Sequence, residues 1–476
     1  MSEPQVQMTD VIVIGAGAVG ENVAERVVKR GLEAIIVESE LVGGECSYWA
    51  CMPSKALLRS TAVVHAARNV DGGKQAVTGE VDVAAVLKRR DSFTSNWDDS
   101  SQVEWLDDAG VTLRRGYARL VGERTVEIAT KDGGVERWEA REAVVLANGS
   151  VPTIPKIEGI ETVRTWGTRE ATSAKAIPER LAVLGGGVAG VELAQAFARL
   201  GSKVTIIARG NLLSSYPEQA VALVSKGLEA DGITLLLETT TTSLSQNDDG
   251  NIIIAVDPGD SEVVDEVLVS TGRHPATEDI GLDSVGVMAK KLTVGADGRV
   301  QDVPAGWLYA VGDVAGKVLL THQGKYEARM TGDAIAARAK GKLGDDVEAW
   351  SPYASTANEF AVPQVVFTDP EIVMVGRTEA RAREAGINVQ TVELEMSVGG
   401  TSLHADGYEG WAQLVVDEDR SVIVGVTFAG QDVSEMLHAA TIAIVGEVPL
   451  ARLWHAVPAY PTMNEVWLRL LEAYGL

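Results

Sequence analysis

Cysteine is almost absent. The chain of 476 residues has two, Cys46 and Cys51, too few for the disulfide framework of a small secreted scaffold. Long apolar runs are missing as well, and nothing approaches the ~18 uninterrupted apolar residues of a membrane-spanning helix. Residues Met1–Asp10 are polar and lack a basic stretch followed by an apolar one. No signal peptide is read there, and the cytoplasm is the expected compartment. Basic residues are in deficit, 42 Lys and Arg against 67 Asp and Glu, for a net charge of −25. That balance argues against nucleic acid and anionic membrane as partners and describes a solvated acidic surface. What is present is ordinary globular material, 46% hydrophobic. The length exceeds what one core holds and predicts about three domains.

The two cysteines sit five positions apart within Gly43–Lys55, followed at once by Pro53, Ser54 and Lys55. A proline two residues after a cysteine suits the first turn of a helix, where a missing N–H costs nothing. Cys51 is therefore expected at or near a helix N-terminus, where free N–H groups and the helix dipole favour thiolate. Alone, such a pair reads equally well as two inert buried thiols. Beside a dinucleotide fingerprint it reads as a redox-active dithiol.

That fingerprint is Gly15, Gly17 and Gly20, spaced G-x-G-x-x-G. The β-branched run Val11–Ile14 before it predicts a buried strand, and Glu21–Arg30 after it predicts a helix. Glycines at these places allow a tight turn and let a pyrophosphate approach the helix N-terminus. The next apolar run, Ala34–Val37, ends at Glu38, where a carboxylate can accept from a ribose hydroxyl. A second unit follows. Leu181–Leu184 reads as a strand, Gly185, Gly187 and Gly190 repeat the spacing, and Val191–Leu200 reads as a helix. Its second strand, Lys203–Ile207, ends in Ala208-Arg209 with no acid, which favours a 2′-phosphate and hence NADP(H) over NAD(H).

Between and after these units, Ala56–Ala67 and Trp97–Ala109 read as helices. Val111–Arg115 through Ala129, Glu136–Leu146 and Val264–Val269 read as strands. The proline-bearing Val151–Ile160 reads as a domain crossing. Trp307–Val314 reads as a strand ending on Asp313, an aspartate placed to hold a polyol hydroxyl, and Leu320-Thr321-His322 opens a helix. After about residue 345 the composition changes to an α+β pattern with no glycine-rich turn. Its expected antiparallel strands are Val365–Val375, Trp411–Val416 and Val422–Phe428, and its expected helices are Ser434–Val445 and Asn464–Tyr474.

Together the two fingerprints, Gly43–Lys55, Ala147–Ser150, Thr271–Pro275, Tyr309–Asp313 and Phe367–Gly376 resemble the flavoprotein disulfide reductases, across nearly the whole chain. The resemblance implies an α/β fold with two Rossmann-like nucleotide-binding domains and a C-terminal α+β dimerisation domain. FAD would bind a discontinuous domain of residues 1–150 and 273–345, NAD(P) would bind 151–272, and 346–476 would form a homodimer. It implies that Cys51 is the thiol nearest the flavin and Cys46 the interchange thiol, with Lys55 and Glu192 paired near flavin N5. Gly15, Gly17, Ala18, Gly20, Glu38, Gly44, Lys55, Ala118, Asn148, Gly149, Ser150, Gly312, Asp313 and Thr321 would contact FAD. Gly185, Gly187, Gly190, Arg209, Gly272 and Arg273 would seat the nicotinamide nucleotide. No metal site is implied.

One departure stands out. The family usually carries His-Pro-Thr-x-x-Glu near its end, and this chain has Tyr460-Pro461-Thr462-Met463-Asn464-Glu465. A phenol donates a proton at neutral pH but accepts one poorly. The dihydrolipoamide dehydrogenase direction, which needs a base, is therefore disfavoured against reduction of an acceptor. His455, five residues earlier, reads as a partly buried structural histidine. Mercuric reductases add a C-terminal cysteine pair that this chain lacks, and soluble transhydrogenases lack the complete cysteine pair it keeps. The expected activity is NAD(P)H-driven reduction of a disulfide or related oxidised small molecule through Cys46 and Cys51. The alternative is a quinone, metal-ion or transhydrogenase-type flavin reductase to which the dithiol is not essential.

Overall fold

A computed structural model describes residues 5–476. Its principal elements begin with β1 (Val6–Ile14), α1 (Ala18–Lys29), β2 (Ala34–Glu38), α2 (Gly44–Tyr48), α3 (Cys51–Arg68) and α4 (Ser100–Asp108). There follow β3 (Thr112–Arg115), β4 (Tyr117–Gly122), β5 (Thr125–Ala129), β6 (Val135–Leu146), β7 (Arg180–Leu184), α5 (Val188–Arg199) and β8 (Lys203–Ile207). Next are β9 (Thr234–Leu236), β10 (Glu266–Val269), β11 (Leu308–Ala310), α6 (Thr321–Ala339), β12 (Gln364–Val366) and β13 (Glu371–Gly376). The last are β14 (Val389–Glu395), β15 (Trp411–Asp417), β16 (Val422–Gly430), α7 (Leu437–Val445) and α8 (Glu465–Tyr474). The chain divides into two units: residues up to 52 with 91–153 and 273–358, and residues 53–90, 154–272 and 359–476.

The first unit is built on a sheet in the order β3-β2-β1-β6-β5-β4, with β11 also paired to β6. The run Val11–Ile14 lies parallel to Ala34–Val37 on one side and to Ala143–Leu146 on the other. It is covered on both faces, which is why it is continuously apolar rather than alternating. Helix α1 packs along α6 through small residues. A Cβ added at Gly324 would lie 2.6 Å from Val19 Cγ2, and one at Gly332 would lie 2.8 Å from Arg26 Cβ. Asp333 on α6 takes Arg26 Nε at 2.8 Å and Arg30 Nε at 2.6 Å, fixing the two helices in register.

In the second unit a parallel sheet runs β9-β8-β7-β10. Val183, Ile206, Leu193 and Phe197 are buried between this sheet and α5. The C-terminal part is an antiparallel sheet in the order β12-β13-β16-β15-β14, with Trp467 of α8 edge-on to Phe428 of β16 at 5.5 Å. This is the expected α+β layer, without a glycine-rich turn.

Several expected boundaries move. The helix expected from Trp97 starts at Ser100, because Ser95, Asn96 and Trp97 turn left-handed at φ 48°, 54° and 59°. Asp98 Oδ1 then accepts from the Ser100 N–H at 2.8 Å, and Asp99 Oδ2 accepts from the Val42 N–H at 2.7 Å. Trp307–Val314 holds only a three-residue strand, β11, and Asp313 lies in the 3₁₀ turn Gly312–Ala315 beyond it. Val365–Val375 is two strands around a turn at Thr368–Pro370, where Thr368 Oγ1 donates to the Pro370 carbonyl at 2.7 Å. Val264–Val269 is divided between Glu262–Val264 and β10, and the helix expected from Ser434 begins as the 3₁₀ turn Val433–Met436.

Candidate active site

In the first unit, the short helix α2 carries Cys46, and Cys51 is the first residue of α3, as its proline spacing predicts. Both are half-buried free thiols. Cys46 lies within hydrogen-bonding reach of Cys51, and Cys51 Sγ is 3.4 Å from Thr321 Oγ1 at the start of α6. The hydrogen bond to Cys51 and then burial push the Cys46 thiol up, while Thr321 and the Lys325 ammonium pull it back. In the reduced pair, then, these effects disfavour charge on Cys46, and the helix N-terminus favours charge on Cys51.

The cysteine loop is tied to the first glycine turn. Gly43 N–H donates to the Ala16 carbonyl at 2.7 Å, and a Cβ at Gly44 would lie 2.8 Å from Gly17 Cα. Gly15 has φ +101°, and a Cβ there would lie 2.6 Å from the Ala147 carbonyl oxygen; one at Gly20 would strike the Gly15 carbonyl. Gly15 and Gly20 serve the fold. Gly17 is different, since its φ is −77° and the nearest neighbour of an added Cβ is Gly44 Cα at 3.9 Å. No side chain caps α1, so the first-turn N–H groups that begin at Ala18 face a space that only a glycine leaves open. That cradle fits a pyrophosphate. Glu38 closes it, its oxygens accepting from Ala16 N–H and Glu40 N–H, each at 2.8 Å, with lone pairs left for a ribose.

Further along the same unit, Asp313 Oδ2 accepts from Ser150 Oγ at 2.6 Å, and Arg273 donates to Ser150 through Nε and Nη2 at 2.8 and 2.7 Å. Gly312 N–H donates to Glu327 at 2.7 Å. Asn148 Nδ2 donates to the Ala276 carbonyl at 2.6 Å, leaving its buried Oδ1 without a partner. Gly149 has φ +79° with open space beside it. The Ala118 side chain is buried in the core, so only its backbone can meet a ligand.

The second unit repeats the glycine logic. A Cβ at Gly185 would lie 2.3 Å from the Ser270 carbonyl oxygen, and one at Gly190 would lie 2.6 Å from that of Gly185, whereas one at Gly187 would meet nothing within 4 Å. Arg209 lies exposed past the end of β8, and Gly272 is exposed at φ +116°. Lys55 Nζ pairs with Glu192 Oε2 at 2.6 Å and lies 4.8 Å from the centre of the Phe367 ring. Glu192, 3% exposed, also accepts the Phe367 N–H at 2.9 Å.

Tyr460 and Glu465 are brought together against Gly399. A Cβ there would lie 3.4 Å from the Tyr460 hydroxyl and 3.7 Å from Glu465 Oε2. Glu465 Oε1 takes Arg469 at 2.7 Å, and its Oε2 is buried with no partner. Tyr460 is 79% exposed. His455 is exposed in the single chain, not partly buried as expected, because the Trp454–Ala459 stretch runs over the surface.

Sequence reasoning passed over Glu21 and Lys325. Lys325 follows Thr321 by one helical turn, a spacing that puts both on one face of α6. Glu21, in the first turn of α1, is a buried carboxyl; burial pushes it up to about 7, against the pull of Lys325.

Residues 9–331 match the family described as pyridine nucleotide-disulphide oxidoreductase, and residues 362–470 match its dimerisation domain. A dihydrolipoyl dehydrogenase of Thermus scotoductus is 32% identical over 472 residues, covering 98% of this chain and 97% of the relative. A mercuric reductase of Acidithiobacillus ferrooxidans is 31% identical over 464 residues, covering 96% and 81%. The HOCl-induced flavoprotein disulfide reductase RclA of Escherichia coli, solved as a Cu(II) complex, shares the fold at a TM-score of 0.82 and 22% identity, covering 98% of this chain and 99% of that one.

Proposed function

This chain belongs to the pyridine nucleotide-disulphide oxidoreductase family, and we propose that within it the chain uses NAD(P)H to reduce a disulfide or related oxidised small molecule through Cys46 and Cys51. FAD, when bound, would supply the chemistry of taking hydride from a nicotinamide and passing on an electron pair. The chain's own residues bind and orient. Gly17, Ala18, Gly44 and Glu38 hold the first dinucleotide, and Ser150 and Asp313 hold its polyol. Residues 1–150 with 273–345 form that domain. Gly187, with Gly272 and Arg209, takes the nicotinamide nucleotide on 151–272. The missing acid after β8 supports NADP(H). Residues 346–476 pair two copies.

Cys46 is the thiol that meets the acceptor, and Cys51 closes on it afterwards. The observation that carries this reading is the contact of Cys46 with Cys51 on a loop tied to the first glycine turn. Tyr460 donates a proton to the departing group, a role a neutral phenol can fill, while accepting one from a dithiol is not. That choice favours reduction over the dihydrolipoyl dehydrogenase direction.

A second reading is favoured by the same tyrosine: a flavin reductase of quinones, metal ions or another nucleotide, indifferent to the dithiol. Steady-state oxidation of NADPH and NADH against lipoamide, low-molecular-weight disulfides, quinones, dyes and mercuric ion separates the two. Cys46→Ser is expected to abolish turnover with the disulfide acceptor and spare any quinone activity. Full disulfide turnover by Cys46→Ser refutes the first reading.

A further inference from the structure

Lys325 is a half-buried cation on α6 that makes no ion pair or hydrogen bond among the described residues. Its surroundings are nonetheless specific. One turn earlier on the same face, Thr321 touches Cys51 Sγ at 3.4 Å. On α2, Cys46 lies within electrostatic reach of the ammonium, which pulls its thiol down against the larger effects of Cys51 and burial. On α1, which the glycine contacts draw tightly against α6, Glu21 lies within electrostatic reach of the same ammonium, with its Oε1 buried and without a partner among the described residues. A half-buried cation without an ion-pair partner among the described residues, near a thiol and a buried carboxyl, is costly unless one of them carries charge.

We propose that Lys325 is the positioning residue that holds the Cys46 sulfur as a thiolate at the moment of attack, with Glu21 setting how much of its charge Cys46 receives. This rests on the disulfide-reducing reading and adds to it what replaces a base. Tyr460 cannot take a proton from Cys46. A neighbouring ammonium lowers the energy of the anion instead, so the proton can leave without a dedicated acceptor.

The step balances. NAD(P)H supplies two electrons and one proton to the Cys46–Cys51 bond, which opens to one thiol and one thiolate. The Cys46 thiolate attacks an acceptor sulfur, forming a mixed disulfide; the expelled sulfur takes a proton from Tyr460, and the proton that Cys46 released to solvent restores the phenol. Cys51 then attacks Cys46, re-forms the bond and expels the second sulfur, which takes a proton from solvent. The sum is NAD(P)H, a proton and a disulfide giving NAD(P)⁺ and two thiols.

The groups facing this cluster are Cys51 and Thr321 on Cys46, Lys325 between Cys46 and Glu21, and Glu38 and Tyr48 on Glu21. Above its own titration Glu21 is an anion that offsets Lys325. Glu21→Gln therefore leaves the ammonium unopposed and should make Cys46 more acidic, and Lys325→Met should make it less so.

The test is iodoacetamide alkylation of the reduced holoenzyme as a function of pH, with the Cys46 peptide quantified by mass spectrometry. Lys325→Met is expected to raise the pH midpoint of Cys46 alkylation by about one unit, Lys325→Arg to leave it near the parent, and Glu21→Gln to lower it. An unmoved midpoint in Lys325→Met, or an equal rise in Lys325→Arg, overturns the proposal. Should Lys325→Met lose its flavin, Glu21→Gln decides alone, and an unmoved or raised midpoint there overturns it. Thiol counting on the oxidised parent is a separate arm. Two thiols persisting after oxidation would refute the dithiol reading itself, whereas one formed bond with unmoved midpoints would refute only the role of Lys325.

Discussion

Two glycines three residues apart, Gly187 and Gly190, should respond to the same substitution in opposite ways. Gly187 has φ −81° and ψ 173°, a conformation alanine adopts freely, and an added Cβ meets nothing within 4 Å. Replacing it costs the folded state no contact and restricts the unfolded chain, so Gly187→Ala should leave the melting temperature unchanged or raise it slightly, by the equivalent of about 0.4–1 kcal/mol. The new methyl, however, fills the space where a pyrophosphate would approach the uncapped N-terminus of α5. Overpacking of that kind costs about 1–3 kcal/mol, so nucleotide affinity should fall by about 5- to 150-fold. Gly190→Ala inverts the pattern. Its Cβ would stand 2.6 Å from the Gly185 carbonyl oxygen and 3.4 Å from Val183 Cγ1, so helix and strand must part, and stability should fall by about 1–3 kcal/mol. Equilibrium binding of NADPH and NADH, alongside thermal unfolding of each variant, reads both effects. If Gly187→Ala bound both nucleotides as tightly as the parent at an unchanged melting temperature, the second glycine turn would not be where a dinucleotide approaches.

Three other perturbations follow from named contacts. Tyr460→Phe should slow turnover with the preferred acceptor at least tenfold, the low end for a general acid, and leave reduction of the bound flavin by NAD(P)H unchanged; equal steady-state rates would remove the proton-donor role. Glu192→Leu strands Lys55 and leaves the Phe367 N–H without its acceptor, and with Lys55 partly exposed the loss should be about 2–4 kcal/mol. Adding Lys55→Met should recover part of it, and strict additivity in a thermal-shift cycle would show the pair uncoupled. Glu371 is pushed by burial up to about 7, against hydrogen bonds from Ser434 N–H at 2.8 Å and Ser434 Oγ at 3.2 Å. A folded pKa above the unfolded one gives stability that is full below about 4.5 and lost as pH rises through about 7. Glu371→Gln should therefore gain on the parent as pH rises across that window, by about 3 kcal/mol at most, and a constant difference between the two unfolding curves would contradict the assigned ionisation.

The sequence was most legible where a residue type is demanded by its immediate neighbours in the chain. Gly20 and Gly190 had to be glycine because the helix folds back on the carbonyl five residues earlier, and Gly15 and Gly185 because the turn takes φ to +101° and +118°, so spacing alone carries that information. Cys51 at the head of α3 was legible from Pro53 for the same local reason, and Glu38 from the length of a β-α-β unit. Local patterns failed where the backbone broke its own run. Nothing in Ser95-Asn96-Trp97 signals three left-handed residues in succession, since none is glycine. Only the tertiary anchor of a nearby residue, Asp99 on Val42, shows what that turn supports. Val365–Val375 looked like one strand because its apolar content masks the turn that Asp369-Pro370 signals.

The residues that were missed are those whose meaning is wholly long-range. Glu21 reads as an ordinary first-turn acid, well placed for the α1 dipole, and Lys325 as an ordinary surface lysine. Each becomes unusual only because Gly324 and Gly332 let two helices three hundred residues apart in sequence approach closely enough to bury the carboxyl beside the ammonium. The small residues of α6 carried the signal, at a spacing of eight that repeats along one helical face. Read together with Thr321, they mark the face of α6 that meets both α1 and the cysteine pair. The groups that bear on the cysteine pair are concentrated on that face. A phenol that cannot accept a proton requires the thiol to be made acidic by other means, and of the groups around Cys46 it is the Lys325 ammonium that can do so by charge alone.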